Sequence, residues 1–238
     1  MVVKINQIAI VILCGVLLLP TAWAEEKKWQ GEAELGIVVT DGNTETRNIN
    51  GKAGIEHEVE KFRNTAQFET SSAADVDGTS AERYLLSGKS SYKYNQFDYA
   101  FVTAQYDDDR FSGFDYQASI AAGYGRRLIA SDKTKLDVEI GPGYRETKTG
   151  LGDTEGDAIL RLAAEFAHKI SDTSKFKQSL VSEVGEDNTI SKSVSSLTAQ
   201  VAGSLATKIS LTIKNTSDTP PGVEDTDTET AVTLVYSF

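Results

Sequence analysis

The two histidines, His57 and His168, are the first candidates for acid–base chemistry, because no other imidazole occurs in the 238 residues. A serine hydrolase would need a hydroxyl within hydrogen-bond reach of one ring and a third polar group to orient that ring. The sequence has no Gly-x-Ser-x-Gly motif, and we expect Ser182 and Ser193 at the opposite strand ends from both histidines. We therefore predict no catalytic residues and no enzyme activity, with a membrane lipid hydrolase as the enzymatic alternative.

Acidic clusters are the second candidates, because carboxylates bind divalent cations. Asp75-Val76-Asp77-Gly78 with Glu82 resembles part of a calcium loop, although the later ligand positions do not match. Asp107-Asp108-Asp109 and Glu224-Asp225-Thr226-Asp227 are further acidic clusters. We interpret all three as solvated loops and predict no resident metal or cofactor. The alternative is that outer loops bind divalent cations shared with anionic lipid.

Alternation of apolar and polar residues repeats along the chain after residue 24, and no helical stripe occurs there. The pattern predicts an all-β antiparallel transmembrane barrel of about twelve strands. The candidate strands are residues 29–40, 46–59, 65–72, 83–94, 99–107, 116–127, 134–146, 157–168, 175–184, 193–205, 208–216 and 229–238.

The final candidate strand has one apolar row and ends the chain on an aromatic residue, Phe238. Its apolar side chains are Val232, Leu234, Tyr236 and Phe238. An unpaired strand edge cannot lie in lipid, so this strand is expected to pair with the first and close the barrel. We also expect it to be the segment that the barrel-assembly machinery binds.

The polar face of the strands carries charges of both signs, which a membrane barrel must place in its lumen. These residues are Lys52, Glu56, Glu69, Arg83, Lys89, Asp137, Glu139, Arg145, Arg161, Glu165, Lys177 and Glu183. Such a lumen is either a ladder of ion pairs that fills a narrow barrel or the lining of a small pore. Four inward glycines (Gly123, Gly125, Gly141 and Gly143) either leave space there or bend the wall.

Loop lengths and aromatic positions are expected to distinguish the two barrel ends. Short turns should follow the even-numbered candidate strands, and longer loops (residues 73–82, 108–115, 147–156, 185–192 and 217–228) should face outward. Aromatic side chains, including Trp29 and Tyr99, are expected in two girdles near the strand ends. Pro142 on an apolar face predicts a bulge or broken pairing.

The first 24 residues have the pattern of a secretory signal: Lys4, then an apolar stretch, then the small-x-small site Ala22-Trp23-Ala24. The domains are thus predicted as signal peptide 1–24 and barrel 25–238. The only cysteine, Cys14, lies in the signal, so we expect no disulfide in the mature barrel. Net charge changes from −11 to −12 when Lys4 is removed, which argues against nucleic acid as a partner.

Three sequence stretches resemble one known family. They are Trp29-Gln30-Gly31-Glu32-Ala33-Glu34-Leu35-Gly36 with Thr40-Asp41-Gly42-Asn43-Thr44-Glu45-Thr46, then Asp109-Arg110-Phe111-Ser112-Gly113-Phe114-Asp115-Tyr116, and Glu139-Ile140-Gly141-Pro142-Gly143-Tyr144-Arg145. Together they resemble the salt-induced outer-membrane proteins of the YdiY type, a family of unknown biochemical function. The resemblance covers nearly all of the mature chain and implies a Gram-negative outer membrane and a link to salt or osmotic stress. It carries over no catalytic residue.

The sequence therefore predicts a barrel in the cell outer membrane, with outer-membrane lipid and lipopolysaccharide as its surroundings. Its lumen is expected to be a narrow or plugged, porin-like channel. The alternatives are the lipid hydrolase and a purely structural or cation-binding envelope protein.

Overall fold

A computed structural model describes residues 29–41, 46–74, 80–109, 114–149, 153–219 and 224–238. Within these ranges the chain forms twelve strands: β1 (Trp29–Asp41), β2 (Thr46–Glu58), β3 (Phe62–Ala74), β4 (Ser80–Lys93), β5 (Asp98–Asp109), β6 (Phe114–Ala130), β7 (Thr134–Thr149), β8 (Thr154–Lys169), β9 (Ser174–Val184), β10 (Thr189–Ala202), β11 (Leu205–Thr216) and β12 (Thr226–Ser237). No helix long and apolar enough to cross a membrane is present in the described ranges. The predicted signal peptide, residues 1–24, lies outside them.

Each strand pairs antiparallel with its neighbours in sequence, and β12 pairs with β1 to close the barrel. Leu35 lies opposite Leu234 in this seam, and the backbone groups of Gly31 and Phe238 exchange two hydrogen bonds of 2.9 Å. The predicted all-β barrel of about twelve strands, closed by the last strand, is confirmed. Closure leaves no strand edge unpaired.

The two faces of the barrel wall differ in polarity. Large apolar side chains lie exposed on the outer surface on every strand, for example Ile37, Leu86 and Ile209, each more than half exposed. The strand register places all twelve predicted charged side chains on the opposite face, inside the barrel. A soluble protein buries its apolar face, so this arrangement is inverted with respect to a water-soluble barrel.

The two ends of the barrel differ less in loop length than expected. We call the end with the chain termini the terminal end and the other the distal end. The connections contain three to five residues, except the two-residue turn 203–204 and the nine-residue connection 217–225. The prediction of long distal loops is therefore wrong for all but the last, because the polar residues there continue the strands instead of ending them.

The short turn between β10 and β11 depends on Gly203, whose φ of 54° lies in the left-handed region that favours glycine. This turn was predicted at residues 206–207 and therefore begins three residues earlier than expected. The rings at the two ends follow the predicted girdles in part. Trp29 stacks on His57 at 4.2 Å at the terminal end, and Tyr106 stacks on Tyr116 at 5.5 Å at the distal end.

The strand pair β6–β7 approaches most closely where its glycines meet. A Cβ atom built on Gly123 would lie 2.2 Å from the Ile140 carbonyl oxygen, and one on Gly141 would lie 2.2 Å from the Ala122 oxygen. Backbone pairing between β6 and β7 is interrupted there, as predicted from Pro142, and resumes in the same register on either side. These two glycines allow a close approach of the wall and do not open the lumen.

Candidate functional site: the charged lumen

The most crowded part of the lumen surrounds Glu139 on β7, whose residue exposure is 5%. Tyr99 Oη on β5 donates a hydrogen bond to its carboxylate at 2.8 Å, and Arg161 Nη1 on β8 donates another at 2.9 Å. Lys89 Nζ on β4 forms an ion pair with the same carboxylate. Three donors from three other strands thus converge on one buried acid.

An aromatic ring supports the cations of this cluster. The Lys89 amine and the Arg161 guanidinium carbon lie 5.5 Å and 5.4 Å from the centre of the Phe101 ring, within the range of cation–π attraction. We call Lys89, Tyr99, Phe101, Glu139 and Arg161 the Glu139 cluster. Its aromatic members fill space between the charges, so it is a packed layer and not a row of isolated ion pairs.

Tyr99 was predicted as a girdle residue, and this prediction is wrong. Its ring is inside the barrel, 4% exposed, and occupies the space beside Gly125, where an added Cβ would lie 2.3 Å from the ring. The parity of β5 explains the error, because Tyr99 shares a face with Thr103 and Asp107 and not with Val102. Gly125 therefore leaves room for the Tyr99 ring, and this ring narrows the lumen.

A second group of ion pairs lies on the terminal side of the Glu139 cluster. Arg127 donates two hydrogen bonds to the Asp137 carboxylate, at 2.7 Å and 2.9 Å, in the bidentate geometry that suits guanidinium. Arg63 on β3 approaches the same carboxylate at 3.5 Å and lies over the Tyr99 ring. Asp137 thus links β3, β6 and β7.

Two arginines form ion pairs on the distal side of the cluster. Arg83 on β4 makes a bidentate pair with Asp107, at 2.9 Å and 2.8 Å, and lies 3.5 Å from Asp109. Arg145 on β7 pairs with Asp157 at 3.3 Å and donates to the Asn188 carbonyl at 2.7 Å. The predicted acidic cluster 107–109 therefore faces the lumen in part, since two of its three carboxylates contact Arg83.

Several contacts bridge walls that are far apart around the barrel. Lys214 on β11 donates to Gln117 Oε1 on β6 at 3.3 Å, although five strand steps separate these two strands in a ring of twelve. Arg83 on β4 reaches Glu229 on β12 at 4.0 Å, four steps away. Side chains of ordinary length can span these gaps only if the lumen is narrow at this level.

A cavity of about 110 Å³ remains between these bridges, on the distal side of the Glu139 cluster. We call it the lysine cavity. Its walls include Arg83, Gln117, Ser119, Arg145, Arg161, Glu183, Lys192 and Lys214. Arg161 is shared with the Glu139 cluster, so the two sites are adjacent along the axis.

The predicted histidine positions near the terminal strand ends agree with the structure. His57 stacks on Trp29, and His168 Nδ1 lies 2.8 Å from Thr134 Oγ1. Ser182 is hydrogen-bonded to Ser191 at 2.9 Å, and in the described part of the chain no serine hydroxyl is bonded to either histidine. The geometry gives no support to the hydrolase alternative, and the prediction of no enzyme activity stays a prediction.

The acidic loops give no further information on cations. Residues 75–79, which contain most of the calcium-like stretch, lie outside the described ranges. Within those ranges no group of three or more His, Cys, Asp or Glu side chains is arranged to hold a metal ion. Cation binding at the outer loops stays a prediction.

Sequence reasoning missed several residues of the lumen for identifiable reasons. Arg63 and Lys192 were assigned to turns, because strands β3 and β10 begin three and four residues earlier than predicted. Phe101 was assigned to neither face of its strand, because attention went to the charged residues as members of the lumen. In each case the residue has the same parity as polar or charged lumen residues on its own strand, and that parity is a usable signal.

Comparison with known proteins adds a family and a fold. The family model described as protein of unknown function DUF481 matches residues 33–238. The uncharacterized protein YdiY of Escherichia coli (strain K12) is 25% identical over 214 residues, which cover 90% of this chain and 84% of that protein. The resemblance expected from the sequence motifs is therefore confirmed.

Solved structures with a similar fold are outer-membrane barrels. The NanC porin superposes with a TM-score of 0.59 at 6% identity, covering 86% of this chain and 98% of that chain. An outer membrane channel from Pseudomonas putida F1 gives a TM-score of 0.56 at 10% identity, covering 93% and 100%. At these identities the likeness concerns the fold alone.

Proposed function

The chain belongs to the DUF481 family of proteins of unknown function, and from its closed barrel, apolar outer surface and charged lumen we propose that it is an outer-membrane channel protein whose lumen is held narrow by its own side chains. The bridge between Lys214 and Gln117, which joins nearly opposite walls at 3.3 Å, is the observation that carries the narrow lumen. Because that bridge is not covalent, movement of either side chain would widen the lumen at this level.

The outer surface supports the membrane location. Apolar side chains cover it between the two rows of aromatic rings, and every backbone ladder is closed by a neighbour, which is the requirement for crossing hydrocarbon. An arginine or lysine facing mid-bilayer would cost about 2–4 kcal/mol, and the charged strand residues named above are inside. Lipid and lipopolysaccharide are the surroundings that fit such a surface.

The layer around Glu139 supports a constriction of charged side chains. Its acid is satisfied by Lys89, Tyr99 and Arg161, so the layer is stable without water inside it. An ion can cross a layer packed in this way only when the paired side chains move apart. We therefore expect a small conductance and not a wide porin-like one.

The test is single-channel recording of the refolded mature protein in planar bilayers. Wild type should show discrete small steps. Arg161→Ala should raise their size by about twofold or more, because it removes a guanidinium that lies between the Glu139 cluster and the lysine cavity. Arg126→Ala is the matched control, since Arg126 is exposed and lies on the outer face at the terminal end.

A folded, heat-modifiable barrel that stays silent in both wild type and Arg161→Ala would contradict the channel. The lumen would then be a structural filling of ion pairs, which is the second candidate function. The same network of bridges favours that candidate if no ion passes.

We also propose a link to salt or osmotic stress, which the family resemblance motivates. Salt at 1 M shortens the screening length to about 3 Å and weakens partly exposed pairs such as Lys52–Glu69 more than buried ones. Conductance divided by bulk conductivity should therefore rise with salt concentration. A constant ratio between 0.1 M and 1 M would argue against a salt-responsive constriction.

Assembly through the last strand is the remaining proposal about partners. Phe238 holds both backbone hydrogen bonds to Gly31, and its ring covers the Gly31 backbone. Deletion of Phe238 should lower the folded fraction in the outer membrane of cells while leaving refolding into vesicles largely intact. Equal losses in both assays would indicate a folding defect and no role in recognition by the assembly machinery.

A further inference from the structure

The lysine cavity contains two lysine amines that form no ion pair with an acid in the described part of the chain. Lys192 on β10 and Lys214 on β11 both line it, and among the described residues no carboxylate oxygen lies within 4.0 Å of either amine. The one bond of Lys214 in this region is to a neutral amide, that of Gln117. An ammonium group taken out of bulk water without an anion is unfavourable, so a cavity that holds two of them is suited to a bound anion.

The surrounding charges weaken that preference only in part. The charged groups that act on Lys192 are Arg83, Lys214, Glu69, Asp107 and Glu229, so two cations and three acids surround it. Asp107 is already held by two hydrogen bonds from Arg83, and Glu69 by an ion pair with Lys52 at 2.7 Å. Asp107 and Glu69 are therefore each paired with another cation, so they offset the charge of the two amines only in part, and an incoming anion is still attracted.

Neutral donors complete the cavity. Ser119 contributes a hydroxyl and Gln105 and Gln117 contribute amides to its walls. Ser119 donates to Glu183 at 3.0 Å, and Glu183 also lies 3.8 Å from Arg145, so this acid too is engaged. An oxyanion placed between the two lysines would thus meet ammonium groups and amide donors together, the combination that binds phosphate and carboxylate groups.

The size of the cavity limits the ligand. A volume of about 110 Å³ corresponds to roughly three or four water molecules at about 30 Å³ each, which is enough for one phosphate or carboxylate group. A larger solute would place one such group here and extend along the distal lumen. The cavity lies inside the barrel, away from the apolar outer face, so the anion is a solute and not a lipid head group.

From these observations we propose that the lysine cavity is a binding site for an oxyanion, the phosphate or carboxylate group of a small solute, with Lys192 and Lys214 as its charged contacts. The proposal rests on the proposed channel in one respect, because the cavity lies in the lumen through which a solute would pass. It gives the channel a preference for anions, in a protein whose net charge is −11.

The test is titration calorimetry of the refolded mature barrel in detergent with inorganic phosphate, and separately with acetate, at constant ionic strength. Wild type should bind phosphate saturably and acetate more weakly, since phosphate carries more charge. Lys192→Gln combined with Lys214→Gln should weaken phosphate binding by about tenfold or more, since both charged contacts are lost. Lys192→Arg should stay within about threefold of wild type, because the charge and the donors remain.

The matched control is Lys175→Gln, which removes one lumen lysine on β9 near the terminal end, outside the walls of the cavity. It should leave phosphate binding within about twofold of wild type. Each variant must keep the heat-modifiable mobility of the folded barrel. If wild type shows no saturable heat with either anion, or if the double variant binds phosphate as wild type does, the proposal is overturned.

Calorimetry separates this inference from the proposed channel. A barrel that binds phosphate but carries no current keeps the oxyanion site and loses the channel. A barrel that conducts but binds neither anion keeps the channel and loses the site.

Discussion

The Glu139 cluster and the lysine cavity lie next to each other in one lumen and share Arg161, but they differ in whether their charged side chains form ion pairs. In the cluster one acid is held by two cations and a phenol, and aromatic rings fill the space between them. In the cavity two amines form no ion pair with an acid of the described residues, and about 110 Å³ stays open. The difference shows that a mixed-charge lumen is not uniform: one level is a structural layer and the next is available to a ligand.

The origin of the difference is the distribution of acids around the wall. The inward faces of β9, β10 and β11, which are described throughout, carry Lys175, Lys177, Lys192, Lys208 and Lys214 but a single carboxylate, Glu183. The acids Asp107, Asp137 and Glu139 lie on β5 and β7 among arginines of neighbouring strands. Acids and arginines therefore pair on one side of the lumen, whereas on the other side the lysines outnumber the acids.

The largest effect should come from breaking the cluster at its centre. Glu139→Ala leaves the buried cations Lys89 and Arg161 without their shared acid, which should lower the free energy of unfolding by about 3–5 kcal/mol. Urea unfolding in lipid vesicles, followed by loss of heat-modifiable mobility, measures it. Glu165→Ala is the matched control, since Glu165 is exposed to the lumen and bonded to Ser179, and it should cost less than about 1 kcal/mol. Equal losses of unfolding free energy in the two variants would mean that the cluster contributes no more to stability than an exposed acid does.

A smaller effect should follow from forcing the Tyr99 ring out of its place. Gly125→Ala adds a Cβ about 2.3 Å from that ring, so the ring must move, at a cost of about 1–3 kcal/mol. Gly54→Ala is the matched control, because Gly54 also faces the lumen and an added Cβ meets no atom within 4 Å. In the same assay the free energy of unfolding of Gly54→Ala should change little or rise slightly. A comparable loss at Gly54 would indicate a general cost of alanine in these strands.

Removal of the Tyr99 hydroxyl alone should have a moderate effect. Tyr99→Phe keeps the ring and deletes the 2.8 Å hydrogen bond to Glu139, which should cost about 1–2 kcal/mol. Tyr106→Phe, on the outer face at the distal end, should change unfolding by less than about 0.5 kcal/mol. If Tyr99→Phe is neutral, the phenol fills space in the cluster without bonding to the acid.

The smallest effect, and of opposite sign, should come from the cavity. Lys192→Met removes a lumen amine that forms no ion pair within the described ranges, so the free energy of unfolding should stay within about 0.5 kcal/mol or rise slightly. The measurement is again urea unfolding in vesicles, without added phosphate. A loss of 2 kcal/mol or more, at about the level of a broken buried pair, would show that Lys192 is structurally paired and would erase the contrast between the two sites.

Much of the barrel could be predicted from the sequence because strand periodicity is a local property. Alternation along each segment assigned the twelve strands, the lumen face of residues such as Glu139 and Arg161, and the closing strand at Phe238. Strand ends were less accurate, since polar residues in water can continue a ladder as readily as end it. Lys192 and Arg63 were assigned to turns for that reason.

The sequence by itself thus determined which side chains are inside. Parity within a strand decides which face a side chain occupies, and the free-energy cost of a charge in the bilayer excludes charged side chains from the outer face. The sequence did not determine which of these lumen side chains contact one another. The contacts of Glu139 with Lys89 on β4 and Arg161 on β8, and of Lys214 with Gln117, depend on barrel closure and strand stagger, which set distances across the lumen. Only the tertiary structure decided that Glu139 is surrounded by its cations, while two lysines beside that cluster form no ion pair with any acid that the structure describes.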